Sequence, residues 1–323
     1  MRHDLVTWRS SADAMPQRYG RDVPAAVTRS LRPTVPLDLV RTLRPARRGG
    51  GDPCMRLWAD ECWRATRTPD GPVTLHLQRV AGEVVAEAWG QGATWALDHV
   101  PDLLGLHDDD AGFEPGLPML DDLARRHPGV RMGRTLAVAE ALAPTVVEQK
   151  VTSGDAHRAW YSLVRRLGEP APGPAGLVLP PSPATLAATP NWVFHRANVE
   201  RKRADTITRA MSRAIRLEET ASMAMPDAYQ RLQAFPGIGP WTAAEVALVA
   251  LGDPDAVSVG DYHLKDHVSW CLAGEPRGTD ERMLELLEPW RGHRARVVRL
   301  LTMSGMAVPK YGPRMANRSI ARL

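Results

Sequence analysis

From Pro36 onward, apolar residues recur at two different spacings, and the change between them divides the chain. PLDLVRTL reads as a short helix, and RPARRGGGDP after it is a Gly-rich break. Three runs then alternate apolar and polar residues at the strand period: ECWRATRT, VTLHLQRV and EVVAEAWG. PDGP joins the first two and Ala81-Gly82 the last two, so the set predicts an antiparallel meander. GATWALDHVPDLLG returns to spacings of three and four, which predicts a helix. The Asp-, Gly- and Pro-containing run HDDDAGFEPGLP reads as a linker.

Beyond that linker the periodicity is helical. Helices are expected near 117–127, 134–152, 155–167, 197–217, 226–234, 240–251, 262–272, 279–288 and 292–305. The proline-rich stretch EPAPGPAGLVLPPSPATLAATPNW separates the earlier ones from the later. Four segments result: a loosely ordered extension over 1–32, a small α+β antiparallel-sheet domain over 33–110, a helical body over 111–305 and a basic tail over 306–323. The fold class is mainly α with an N-terminal α+β domain. A helical body of that size can hold a cleft between two lobes.

Composition narrows the chemistry. The 323 residues, 44% apolar and 24% charged, suit an ordinary globular chain of about two domains. No run approaches the roughly eighteen apolar residues of a membrane span, and MRHDLVTWRSSADAMPQRYG lacks an apolar signal core, so a cytoplasmic, nucleoid-associated location is expected. Three cysteines (Cys54, Cys62, Cys271) without a CxxC pair cannot supply a four-cysteine cluster, and HExxH is absent. A net charge of +4 permits a nucleic-acid partner. Lysines stand only at 150, 202, 265 and 310, which limits where a catalytic amine can lie.

The informative segment is LQAFPGIGPWTAAEVALVALGDPDAVSVGDYHL. Phe235 to Pro240 has room only for a tight hairpin between two helices. Gly237 and Gly239 would let the backbone take positive φ and approach a ligand closely. Pro240 suits the first turn of the following helix, whose free N–H groups attract an anion such as a DNA phosphate. The plainer alternative is an αα-hairpin whose glycines only permit close packing. Asp261, further along, is by itself better explained as the N-cap of a helix starting at Tyr262.

Taken together, FPGIGPWTA, the helix after it and an aspartate twenty residues past Trp241 closely resemble the helix-hairpin-helix DNA glycosylases, and among them 3-methyladenine DNA glycosylase II (AlkA-type). RHPGVRMGRTLAVAEALAPTVVEQKVTSGDAHRAWYSLVRRLG is similar to the family's first long helices, and 33–110 to its sheet domain. The resemblance implies that Asp261 is catalytic and that Gly237 and Gly239 present N–H groups to a phosphate. It implies that the carbonyls of Gln233, Phe235 and Ile238 hold a monovalent cation (sodium or potassium), with no cofactor needed for the chemistry. Gln149 and Lys150 would enter the minor groove. Trp241 stands where bifunctional relatives carry a Schiff-base lysine, and with Tyr262 and Glu245 would line the base pocket. Glu245 replaces an expected tyrosine, Gly260 an expected second acid, and Arg299 falls near an expected stacking tryptophan.

The implied function is a monofunctional enzyme releasing alkylated purines from double-stranded DNA and leaving an abasic site; a monomer with no membrane partner is expected. The alternatives are a glycosylase for oxidised, deaminated or mismatched bases, or a non-enzymatic helix-hairpin-helix DNA-binding module.

Overall fold

The computed structural model describes residues 25–309; most of the expected extension, Lys310 and the rest of the tail lie outside the described residues. Strands β1 (Val27–Leu31), β2 (Met55–Trp58), β3 (Glu61–Thr68), β4 (Gly71–Val80) and β5 (Glu83–Trp89) form one antiparallel sheet in the order β1-β5-β4-β3-β2. The last three are the expected meander. Ala81 (φ 51°) and Gly82 (φ 83°) make the β4–β5 turn, with Val80 opposite Glu83. Two successive positive φ values define the primed turn whose twist matches that of the flanking strands.

The extension expected over 1–32 is corrected by β1, which pairs with β5 from Val27–Ala88 to Leu31–Val84. Backbone pairing with a distant strand creates this element, and no local periodicity announces it. The period of two sends Val73, Leu75 and Leu77 of β4 to the same core as Val84, Ala86 and Ala88 of β5. That core closes against the helices Leu39–Leu43, Ala93–Asp98 and Val100–Leu103. On the opposite face Trp63, Ala65 and Trp89 meet Leu177 and Leu179.

Leu179 belongs to a second correction. The proline-rich stretch contains the hairpin β6 (Glu169–Pro170) and β7 (Val178–Leu179) and the short helices Pro183–Ala188 and Asn191–Arg196. Its apolar residues cover the back of the sheet, so it fastens the sheet domain to the helical body.

The helical body has two separately cored lobes. The first is built from the helices Val138–Glu148, Ser153–Leu167, Arg201–Met211, Met225–Gln233 and Pro240–Val246. At its centre, Val138–Glu148 is apolar almost all round and buried. Its own N-cap position, Ala137, offers no side-chain acceptor, so the Glu218 carboxylate takes both first N–H groups, Val138 and Ala139, at 2.9 Å each. The second lobe gathers Leu120, Leu123, Val268, Met283, Leu287, Val297 and Leu301 from the helices Pro118–Arg126, Leu264–Ala273, Asp280–Leu287 and Arg294–Thr302. The 197–217 helix is interrupted, running as Arg201–Met211 and Ala214–Glu218.

The acidic run read as a linker is pinned in place. Asp108 accepts two hydrogen bonds from the Arg296 guanidinium (2.8 and 2.7 Å) and one from the Met132 backbone N–H (2.9 Å), with its side chain only 2% exposed. Arg131 reaches Asp110 at 2.9 Å. Replacing Asp108 by alanine leaves buried guanidinium charge without its partner, a loss of about 3–5 kcal/mol for a buried pair broken on one side. Urea unfolding of Asp108→Ala should show it; a change below about 1 kcal/mol would mean the acidic run is only a tether.

Candidate active site

The hairpin lies in the first lobe. Phe235 and Ile238 are buried at 6% and 4% exposure and anchor the turn in the core, and the Ile238 N–H donates to the Phe235 carbonyl at 3.0 Å. Gly237 has φ +96°, and a Cβ there would stand 2.3 Å from Thr206 Oγ1. Glycine is therefore obligatory at 237. Gly239 departs from expectation: its φ is −98° and ψ −176°, ordinary extended backbone, and a Cβ there meets nothing within 4 Å. What glycine contributes at 239 is a bare surface beside the helix start at Pro240, not a special dihedral angle.

Two side chains brace the turn. Arg209 donates to the Pro236 carbonyl at 3.2 Å, and Gln149 Nε2 donates to the Gly237 carbonyl at 3.0 Å and to Thr242 Oγ1 at 2.9 Å. Gln149 is thus held to the hairpin in this state. Its neighbour Lys150 is exposed and sits at φ 57°, a left-handed backbone that a lysine adopts only where its surroundings impose it.

Asp261 stands at the seam between the lobes. Ser258 to Asp261 closes a turn through Asp261 N–H to Ser258 C=O (3.0 Å), with Gly260 at φ +91° in the position where such a turn demands it. The carboxylate then divides its work. Oδ1 accepts the backbone N–H groups of His263 and Leu264, both at 2.8 Å, and so caps the helix Leu264–Ala273. Oδ2 accepts the indole N–H of Trp241 at 3.2 Å, from the helix that opens the hairpin's far side. The helix begins at Leu264, not Tyr262, with His263 at its N-cap position, so one Asp261 oxygen secures the helix entry from outside it while the other is fixed toward Trp241.

Further acids gather round it. Glu245, one turn beyond Trp241, accepts the Ser258 hydroxyl, so it is tied to the turn that sets Asp261. Burial holds its carboxyl above the usual range; Glu148 and Asp261 push it the same way, and Ser258 and Arg48 oppose them. Arg48 Nη1 lies 3.4 Å from both oxygens of Glu148. Arg48 comes from the loop before β2 and Glu148 from the helix end beside Gln149, so sheet domain and body both contribute. Local spacing gives no hint of this pair, which is 100 residues apart. It was missed from the sequence, as was Ser258.

Other expected residues fall elsewhere. Tyr262 is 73% exposed, its ring edge-on to His263, and is not enclosed in a pocket. Arg299 is half-buried: Nη1 donates to the Arg131 carbonyl at 2.7 Å and Nη2 to that of Arg41, so it clamps the second lobe to the sheet domain. Burial pushes its pKa down to about 10. Gln233 is exposed at the end of its helix, and the Phe235 carbonyl keeps one lone pair beyond the bond from Ile238. Among the described residues no group of His, Cys, Asp and Glu forms a metal site.

The architecture is the fold shared by helix-hairpin-helix DNA glycosylases. A 3-methyladenine DNA-glycosylase from Archaeoglobus fulgidus superposes with a TM-score of 0.72 at 19% identity, covering 85% of this chain and 98% of that one. An 8-oxoguanine glycosylase/lyase from Clostridium acetobutylicum bound to DNA gives 0.64 at 16% identity, over 93% and 97%. No family model matches the chain. In sequence the chain is 31% identical over 202 residues to a probable bifunctional transcriptional activator/DNA repair enzyme AlkA of Mycobacterium tuberculosis. That match takes in 59% of this chain and 39% of the relative, so well under half of the relative's length is represented.

Two expectations follow from the geometry. Gly237→Ala should lose more than about 1 kcal/mol of stability, through its φ and the Thr206 clash, whereas Gly239→Ala should unfold like the parent. Equal melting curves for all three would remove the assigned difference. Glu245→Gln keeps an acceptor for Ser258 and removes the titrating proton. Because the folded-state pKa is raised above 4.5, the parent's contribution is whole below that value and is lost as pH rises through the folded pKa. Melting scans should therefore show the variant gaining on the parent from about pH 4.5 upward; parallel curves would deny the shift.

Proposed function

We propose that the chain is a monofunctional DNA glycosylase of base excision repair that hydrolyses the N-glycosidic bond of alkylated purines in double-stranded DNA and leaves an abasic site. The observation that carries this is the Asp261 carboxylate, fixed by Trp241 on the seam between the lobes and beside the hairpin. The name of the sequence relative points the same way.

The chemistry follows from charge. As the C1′–N bond breaks, its electron pair leaves with the base, and positive charge develops at C1′. A fixed carboxylate opposes that charge. Oδ1 already accepts two backbone N–H groups, so Oδ2, with one indole bond, is the oxygen with capacity to orient the attacking water and take its proton. Glu148 adds negative potential that suits a cationic alkylated base, which needs no acid to protonate it. Extruding the base costs a few kcal/mol, and the Trp241 ring offers a surface to hold it. Lys150 and the bare surface at Gly239 serve the DNA backbone and groove. The carbonyls of Gln233, Phe235 and Ile238 would hold a monovalent cation at the hairpin, outside the reaction itself. Trp241 cannot form a Schiff base, which supports water as the nucleophile. Cytoplasmic, nucleoid-associated action of a monomer fits this role.

The test is release of bases from methylated DNA, identified by chromatography, with denaturing gels run with and without alkali. Asp261→Asn should lower release about 100-fold or more while keeping the Oδ1 cap and the melting temperature. Strand breaks should appear only after alkali, and borohydride should trap no adduct. Near-parental turnover in the variant would discard the assignment of Asp261. Binding without release would leave a DNA-binding module; release of oxidised, deaminated or mismatched bases, or a trapped adduct, would favour the other glycosylase class.

A further inference from the structure

Between β2, the glycine loop 49–51 and the helix Ser153–Leu167 lies an open hollow of about 430 Å³, within the range of small-molecule sites. None of its lining residues belongs to the candidate active site. Three arginines, Arg47, Arg56 and Arg165, share its wall with Trp58 and Tyr161. The single carboxylate there, Asp52, is turned to the backbone: Oδ2 accepts the Arg48 N–H at 2.8 Å and Oδ1 the Cys54 N–H at 2.9 Å.

Among the described residues none of the three guanidiniums stands in an ion pair. Arg47 donates to the Gly50 carbonyl (2.6 Å) and Arg56 to the Ala175 carbonyl (2.8 Å), contacts that aim each group without neutralising it. Arg47 Nε is buried with no hydrogen-bond partner. Trp58 and Tyr161 remain 50% and 46% exposed, although most large apolar side chains here are buried. The loop supporting Arg47 is itself fixed, since Gly49 lies at φ +81° against the His157 ring, where a Cβ would come within 2.8 Å.

Uncompensated positive charge and half-exposed aromatic rings around one hollow are complementary to a group that is both anionic and flat. We propose that this hollow is a second binding site, for a nucleoside monophosphate: the base stacks on Trp58 or Tyr161 and the phosphate takes the guanidiniums. The nucleotide has two sources with the same chemistry, a free mononucleotide or a nucleotide within single-stranded DNA.

Calorimetric titration of the intact protein decides the matter, using dAMP, inorganic phosphate, adenosine and an oligothymidylate as separate probes. The expectation is saturable dAMP binding, at least about tenfold tighter than either phosphate or adenosine alone. Arg165→Ala and Trp58→Ala should each weaken dAMP about tenfold while leaving base release and melting temperature at parental values. Competition between dAMP and the oligonucleotide, lost in the same variants, would assign the source to single-stranded DNA; its absence would assign it to free nucleotide. The proposal is overturned if dAMP does not saturate, if phosphate alone binds as tightly, or if both variants bind dAMP like the parent. The comparison of dAMP with phosphate uses unmutated protein, so it holds even if a variant folds poorly.

Discussion

Two large hydrophobic cores lie side by side in the helical body, bridged only by a small cluster of Met132, Ala244, Ala256 and Ala295, so directional polar contacts fix the residues on the seam between them. Asp261 is one such residue. Its carboxylate joins a helix start in the second lobe to an indole in the first. Arg296 and Asp108 do the same between the last described helix and the acidic run after the sheet domain. Apolar packing has no direction, whereas these bonds fix distances and angles.

This arrangement removes the apparent conflict between holding the helix entry and the catalytic role proposed for Asp261. The cap immobilises one oxygen, which leaves the second aimed without any additional ordering cost at the moment of reaction. A carboxylate on a flexible loop would lose part of its effect in reorganising. The cost falls on the neighbouring acid: Glu245, tied to the same turn through Ser258, is buried close to other negative charge and its ionisation is opposed. Arg48 offsets that charge from the sheet domain, which gives that domain a part in the electrostatics of the helical body.

What was legible in the sequence was local. β3, β4 and β5 follow from alternation and short turns, and the hairpin helices follow from their spacing around FPGIGP. Asp261 was singled out by its distance from Trp241, and the two side chains do meet. β1 was not legible, because VTRSL has little alternation and is a strand only by pairing with β5. β6 and β7 were hidden by prolines that look like a spacer, yet Leu177 and Leu179 finish the sheet's second face. Arg48 and Glu148 meet only in three dimensions. Arg299 was misjudged because its position in a helix says nothing about which carbonyls wait nearby. Gly239 was misjudged in kind: two glycines in one turn invite the same explanation, but only Gly237 has the backbone that requires it.

The helix that begins at Pro240 does not end as it begins. From Ala247 to Leu251 it widens into a π-turn, and the Val249 and Ala250 carbonyls accept Thr135 and Leu136 N–H groups at 3.0 Å each. A π-turn is equivalent to one residue inserted into an α-helix, and each helical residue advances the chain by about 100°. The point at which the chain leaves this helix toward the turn that carries Asp261 is therefore rotated by about one residue relative to Trp241. Removing a single residue from this stretch would regularise the helix and swing the carboxylate away from the indole. The register of one widened turn acts as the setting screw of the site.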